Sequence, residues 1–335
     1  MKTLLITGLL ITMAPFLFAQ DIDAIINSKE AERIEKVLAS DEMRGRKIFT
    51  PEIEKAADFI ASEFKAAGLK TWDGNSFRQD FIAVSVRQKS LSATFDDENI
   101  DPQKIVLITS EPEITINQSS GFETGRIKKG DELFESSLSF AGSPKNMIVL
   151  VDSSFASNFP RLSFFKYERF KSDKNIVFIL GNELPKKFSI VARHEVKEQK
   201  LANVVGLLPG RTRKEEFVIF SGHYDHLGVR KPINGDSIYN GANDDAAGIT
   251  AVILLAKYFA SLKNNERTLV FAAFTAEEVG GLGSQYFSKQ FSPEKVMAMF
   301  NIEMIGTESK WGKNSAYMSG FEKTDMGEIL QKNLE

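Results

Sequence analysis

The sequence predicts an α/β fold: an open sheet with helices, interrupted by a second, β-rich unit. Three observations carry this. Three apolar runs, EFVIF from Glu216, TLVFAAF from Thr268 and VMAMFNI from Val296, have the length of buried strands and are rich in Val, Phe, Ile and Ala. Helical patterns lie before and between them. From about Leu91 to Gln199 the texture changes to short β-like runs separated by polar loops, and apolar strands resume only at Leu201, in LANVVGLLPG.

Composition sets the outer bounds. With 335 residues, 42% of them hydrophobic, the chain can bury one large core or two modest ones. A net charge of -3 gives no basic surface for nucleic acid or an anionic membrane. The absence of cysteine excludes disulfides and thiolate metal sites and fits any compartment.

In chain order, Lys2, the apolar stretch Leu4 to Phe18 and the small Ala19 read as a secretory signal peptide cut after Ala19. About 15 apolar residues interrupted by Pro15 are short for a membrane span, and no later stretch reads as apolar enough to cross. Residues 28–40 read as an amphipathic helix with Ile34, Val37 and Leu38 on one side. The turn Arg44-Gly45-Arg46 reads as a solvated connection. A second helix follows, with Thr50 as cap, Pro51 in the first turn and Gly68 closing it. Inside the β-rich segment, KIVLI, NMIVLV and NIVFIL read as strands. His194, among Arg193, Glu195 and Lys197, reads as a solvated surface residue.

The chemistry lies where the three apolar runs stop. The first ends in His223, the second in Glu277 and Glu278, the third in Glu303. Ligands of open α/β sheets bind beyond the carboxyl ends of the strands, and these residue types suit a metal. In SGHYDHLG, two of the three histidines fall within four residues, and Asp225 is close enough to orient His223 or to shape the turn. In NGANDDAAG, Asp244 and Asp245 stand before a long apolar helical pattern and either cap it or bind metal. In TAEEVGGLGS the adjacent Glu277 and Glu278 point different ways, so one can bind a cation while the other faces water. In NIEMIG, Glu303 is a lone carboxylate in an apolar run, costly unless paired or metal-bound.

In this order and spacing, the four motifs resemble the secreted co-catalytic zinc aminopeptidases of clan MH, the bacterial leucyl aminopeptidase and plasma glutamate carboxypeptidase type. The resemblance covers about residues 200–306 and extends loosely to LASDEMRGR and the helix after Thr50. It implies a mixed, mostly parallel sheet flanked by helices, with an inserted β-rich domain similar to a protease-associated domain. The expected division is 1–19 signal peptide, 20–90 first part of the peptidase domain, 91–199 insertion and 200–335 metallopeptidase core. It also implies two zinc ions. His223, Asp244 and Glu303 would bind one, Asp244 would bridge to the second, and Glu278 would bind that one. Glu277 would be the general base, Asp225 would orient His223, and Asp245 would support the ligands.

Two departures from the family pattern stand out. Glu303 occupies a position that is often Asp, and the second zinc's usual later histidine has no counterpart, since none follows His226. The final GEILQKNLE lacks a cap or stop signal, so the expectation is a C-terminally truncated fragment. The function expected is an exported zinc exopeptidase acting on peptide N-termini, with no nucleic-acid partner and no membrane association after signal cleavage. Two alternatives are a mono-zinc relative similar to glutaminyl cyclases and a non-catalytic binding module on the same fold.

Overall fold

In the computed structural model, which describes residues 22–313 and 315–334, the chain forms a nine-stranded mixed sheet, a four-stranded sheet and a two-stranded hairpin. Residues 1–19, the expected signal peptide, lie outside the described residues. The first helix, α1 (Ser28–Leu38), is capped by Asn27, whose side chain accepts from the Glu30 amide at 3.0 Å. Helix α2 (Pro51–Ala66) begins at Pro51, but Thr50 does not cap it: its hydroxyl donates to the Lys47 carbonyl at 2.6 Å. Gly68, at φ 80°, takes the left-handed turn that ends α2.

Two long strands organise the rest. Strand β1 (Arg78–Phe95) pairs antiparallel along most of its length with β6 (Phe188–Leu208). Between them the chain forms β2 (Ile105–Ile108), β3 (Glu123–Ile127), α3 (Leu133–Ala141), β4 (Met147–Val151) and β5 (Ile176–Leu180). These strands make the four-stranded sheet, in the order β2-β5-β4-β3, with apolar clusters of its own. The second unit therefore has no linkers. Residues 91 and 199 fall inside continuous strands, and the β1–β6 ribbon runs from one core into the other.

Period-two alternation on this ribbon explains a correction. Ile190, Ala192 and His194 share the inner face, and His194 is buried at 8% exposure, its Nδ1 3.2 Å from the Glu111 carbonyl. Its charged neighbours misled the surface assignment, and burial pushes its imidazole pKa down.

After β6 come β7 (Arg213–His223), α4 (Ala247–Leu262), β8 (Arg267–Phe274), α5 (Leu282–Ser288) and β9 (Val296–Asn301). The strand order is β9-β7-β8-β6-β1. The sheet is parallel only where β7 pairs with β8 and β9, and antiparallel where β6 meets β8 and β1. It is thus mixed rather than mostly parallel, because the ribbon that carries the second unit doubles back on itself. Helices cover both faces: α1, α2 and α4 pack on Val204, Phe271 and Ala273, while Phe287 of α5 packs among Val205, Val270 and Phe274.

One stretch, Ala242–Leu262, is long and apolar enough by composition to cross a membrane, contrary to the sequence reading. Ile249, Val252, Ile253 and Ala256 of this stretch are completely buried in the protein core, which accounts for its hydropathy.

Candidate metal centre

The parallel register places the three strand ends together. His223 lies opposite Phe274, Ser221 opposite Asn301, and the Ile302 amide donates to the Ser221 carbonyl at 2.8 Å. Glu277 and Glu303 therefore follow their strands at the same edge as His223. The start of α4 closes over this edge. Gly248 permits the approach, since a Cβ there would lie 2.2 Å from the Ile302 carbonyl oxygen. Asp244 and Asp245, joined by a cis peptide bond, project from the turn just before α4.

Glu303 lies past the end of β9 and is exposed, so the burial penalty expected for it does not arise. The backbone is left-handed at Ala276 (φ 58°), directly before Glu277, and at Met304 (φ 53°), directly after Glu303. Such conformations cost about 1–3 kcal/mol each and cluster at functional sites.

Donor atoms gather in two groups that share one residue. His223, Asp244 and Glu303 offer one group and His226, Asp244 and Glu278 the other, each within 4.8 Å of one another. Asp244 turns Oδ1 toward His223 Nε2 at 3.0 Å and Oδ2 toward His226 Nδ1 at 4.0 Å. His226 Nδ1 lies 2.7 Å from Glu278 Oε1. Yet His223 Nε2, His226 Nδ1 and Glu278 Oε1 are buried with no aligned hydrogen-bond partner. Buried polar atoms seldom go unpaired. Lone pairs converging without hydrogen-bond alignment fit a cation, and an imidazole–carboxylate set suits zinc.

The support around these donors is specific. Asp245 is fully buried, and its carboxylate accepts from the amides of His223 (3.1 Å), Gly248 (3.1 Å) and Met304 (3.2 Å). It thereby ties β7, α4 and the segment after β9 to one side chain. Burial pushes its pKa up to about 7, against the pull of His223 and these amides. The Asp225 carboxylate accepts from the amides of Glu277 (3.0 Å) and Glu278 (3.3 Å). The group 3.1 Å from His223 Nδ1 is the Asp225 main-chain carbonyl, while its carboxylate stands 3.8 Å from that nitrogen. Asp225 thus holds the ring through its backbone and the Glu277–Glu278 turn through its side chain.

Electrostatics point the same way. Burial alone would lower the His223 pKa, but Asp225, Asp245 and Glu277 raise it to about 10. A field that favours a proton on a buried imidazole favours a cation in the same place. Glu277 is exposed, with an oxygen 3.9 Å from His223 Nε2. Its pKa is raised, first by desolvation and then by Asp225, Glu303 and Glu278 against the opposing His223. Glu278 is lowered, chiefly by His226.

His226 had been left without a role in the sequence reading. The signal was its place beside His223 in the same strand-end motif.

Fold and donor set together define an α/β protein with a paired imidazole–carboxylate centre at the carboxyl edge of its parallel strands. Residues 203–332 match the family model for Peptidase family M28. It is 35% identical over 108 residues to a "Probable zinc metalloprotease" of Pyrenophora teres f. teres, covering 32% of this chain and 23% of that protein. It is 29% identical over 121 residues to Aminopeptidase YwaD of Bacillus subtilis, covering 35% and 24%. The match therefore spans about a quarter of the length of these curated relatives. A solved aminopeptidase from Aneurinibacillus sp. strain AM-1 aligns over 85% of this chain and 72% of its own, at 18% identity and a TM-score of 0.47.

Proposed function

We propose that this protein is an exported zinc-dependent exopeptidase that hydrolyses N-terminal residues from peptides. The observation that carries this reading is the pair of donor groups sharing Asp244, with Glu277 beside them but in neither. His223, Asp244 and Glu303 would hold one zinc ion, and Asp244, Glu278 and His226 a second. Zinc in such a site supplies a Lewis acid for a carbonyl and lowers the pKa of water. Glu277 accepts a proton from the attacking water and returns it to the leaving amine. Asp225 fixes the Glu277 backbone, so the base keeps its distance from the donor groups. Asp245 keeps the strand ends and the start of α4 in register.

The second donor group favours this reading over a mono-zinc cyclase. Its test is zinc content. Two ions per chain are expected by mass spectrometry of the native protein, together with release of leucine from leucine amide. His226→Gln should retain one ion and lose the other. Two ions held with unchanged affinity in His226→Gln would remove this histidine from the site.

Export rests on Lys2, the apolar run to Phe18 and Ala19. N-terminal sequencing of the mature form should begin near Gln20, in protein recovered outside the cytoplasm. Recovery of Met1 on the abundant form would sink the export claim.

A further inference from the structure

The turn Arg44-Gly45-Arg46, read from sequence as a solvated connection, is buried at Gly45 and Arg46. Arg44 (φ 44°), Gly45 (φ 67°) and Arg46 (φ 46°) are left-handed in succession. For two arginines this costs energy that surrounding contacts must repay. Gly45 is wedged under the loop between β7 and α4: a Cβ there would lie 2.2 Å from the Tyr239 carbonyl oxygen.

The Arg46 side chain has no exposed surface. Among the described residues its guanidinium forms no ion pair, and all its hydrogen bonds go to main-chain carbonyls. Nε donates to Tyr224 at 2.8 Å, Nη1 to Leu38 and to Asn240 (2.7 Å), and Nη2 to Gly241 at 2.9 Å. The Arg46 carbonyl in turn accepts from the His226 amide at 3.3 Å. Tyr224 lies between His223 and Asp225, and Asn240 and Gly241 lead into Asp244. Burial lowers the guanidinium pKa to about 10, opposed by Asp225, Glu35, Asp245 and Asp244, so it stays charged at neutral pH.

A buried cation without a carboxylate partner is expensive. A fork of five donors reaches carbonyls on three separate segments, which no other side chain can do. Two of those segments carry donors to both metal groups. We infer that Arg46 is a positioning residue that locks the 223–226 strand end to the 240–244 turn, so that the donor atoms converge before any cation arrives. This rests on the zinc reading above.

The test compares zinc affinity, by chelator competition well below the unfolding temperature, in wild type, Arg46→Met, Arg46→Lys and Val270→Ala. The cobalt(II) absorption spectrum is recorded in parallel. Val270 is fully buried in the sheet and carries no bond to the site, so its truncation controls for general destabilisation. Supporting residues of metal ligands typically change affinity 10–100-fold. The expectation is a loss of that size in Arg46→Met, with a shifted cobalt spectrum, a smaller loss in Arg46→Lys, and wild-type affinity in Val270→Ala. Should Arg46→Met fail to fold, Arg46→Lys, which keeps the charge and most of the volume, carries the comparison. Wild-type affinity in the folded Arg46 variants, or an equal loss in Val270→Ala, overturns the inference while the zinc reading stands. A wild-type protein that binds no zinc overturns both.

Discussion

Replacing Glu277 by Gln is expected to lower kcat about 10²–10⁴-fold, about 3–5 kcal/mol of barrier, with zinc still bound. The geometry separates this residue from its neighbour. Glu278 places an oxygen 2.7 Å from His226 Nδ1 and belongs to a donor group with Asp244. Glu277 belongs to neither group, although its carboxylate lies 3.9 Å from His223 Nε2. The Asp225 carboxylate accepts from both backbone amides, so the two side chains leave a fixed turn in different directions. Gln is isosteric with Glu and keeps that packing, but its amide cannot accept a proton from water. The check is zinc per chain and kcat/KM on leucine amide, measured on the native protein for Glu277→Gln and Glu278→Gln together. If Glu277→Gln strips zinc as fully as Glu278→Gln does, base and ligand have been interchanged. Near-normal turnover with zinc retained would end the hydrolytic mechanism.

How far the sequence reading reached follows from the range of the interactions involved. Strands β7 and β8 were legible because strands buried in a parallel arrangement read as nearly continuous apolar runs; β9 reads the same way in sequence, although Met297 and Met299 are exposed. Their polar ends then marked the site. His223, Asp244, Glu278 and Glu303 could be picked out because each breaks such a run or begins a helix. The β1–β6 ribbon was harder to see, since its alternating polar residues resemble loop between strands. Arg46 was invisible for a different reason. Its partners Tyr224 and Asn240 are 178 and 194 residues away and contribute only main-chain carbonyls, which no side-chain motif records. The division of labour in Asp225, carbonyl to one ligand and carboxylate to the neighbouring turn, likewise depends on a backbone path that spacing alone does not determine.

Asp244→Asn should have the widest effect on metal, because Asp244 alone belongs to both donor groups. Its two carboxylate oxygens face different histidines, 3.0 Å from His223 and 4.0 Å from His226. Asn keeps the shape but offers one neutral oxygen and an NH2 group, which repels a cation. At least one position therefore loses its anionic donor outright, and the other loses a full negative charge nearby. Affinity at both positions is expected to fall at least about 10²-fold, about 2.7 kcal/mol per ion. Glu303→Gln changes only the His223 group and should leave the ion held by Glu278 and His226 nearly untouched. Far-ultraviolet circular dichroism should be unchanged in both variants, since Asp244 is partly exposed and Glu303 lies past the end of β9. Zinc titration followed by mass spectrometry separates the cases: no tightly held ion in Asp244→Asn, one in Glu303→Gln, two in wild type. One tight ion in Asp244→Asn would mean that this carboxylate serves a single metal, and the shared-ligand centre would have to be abandoned.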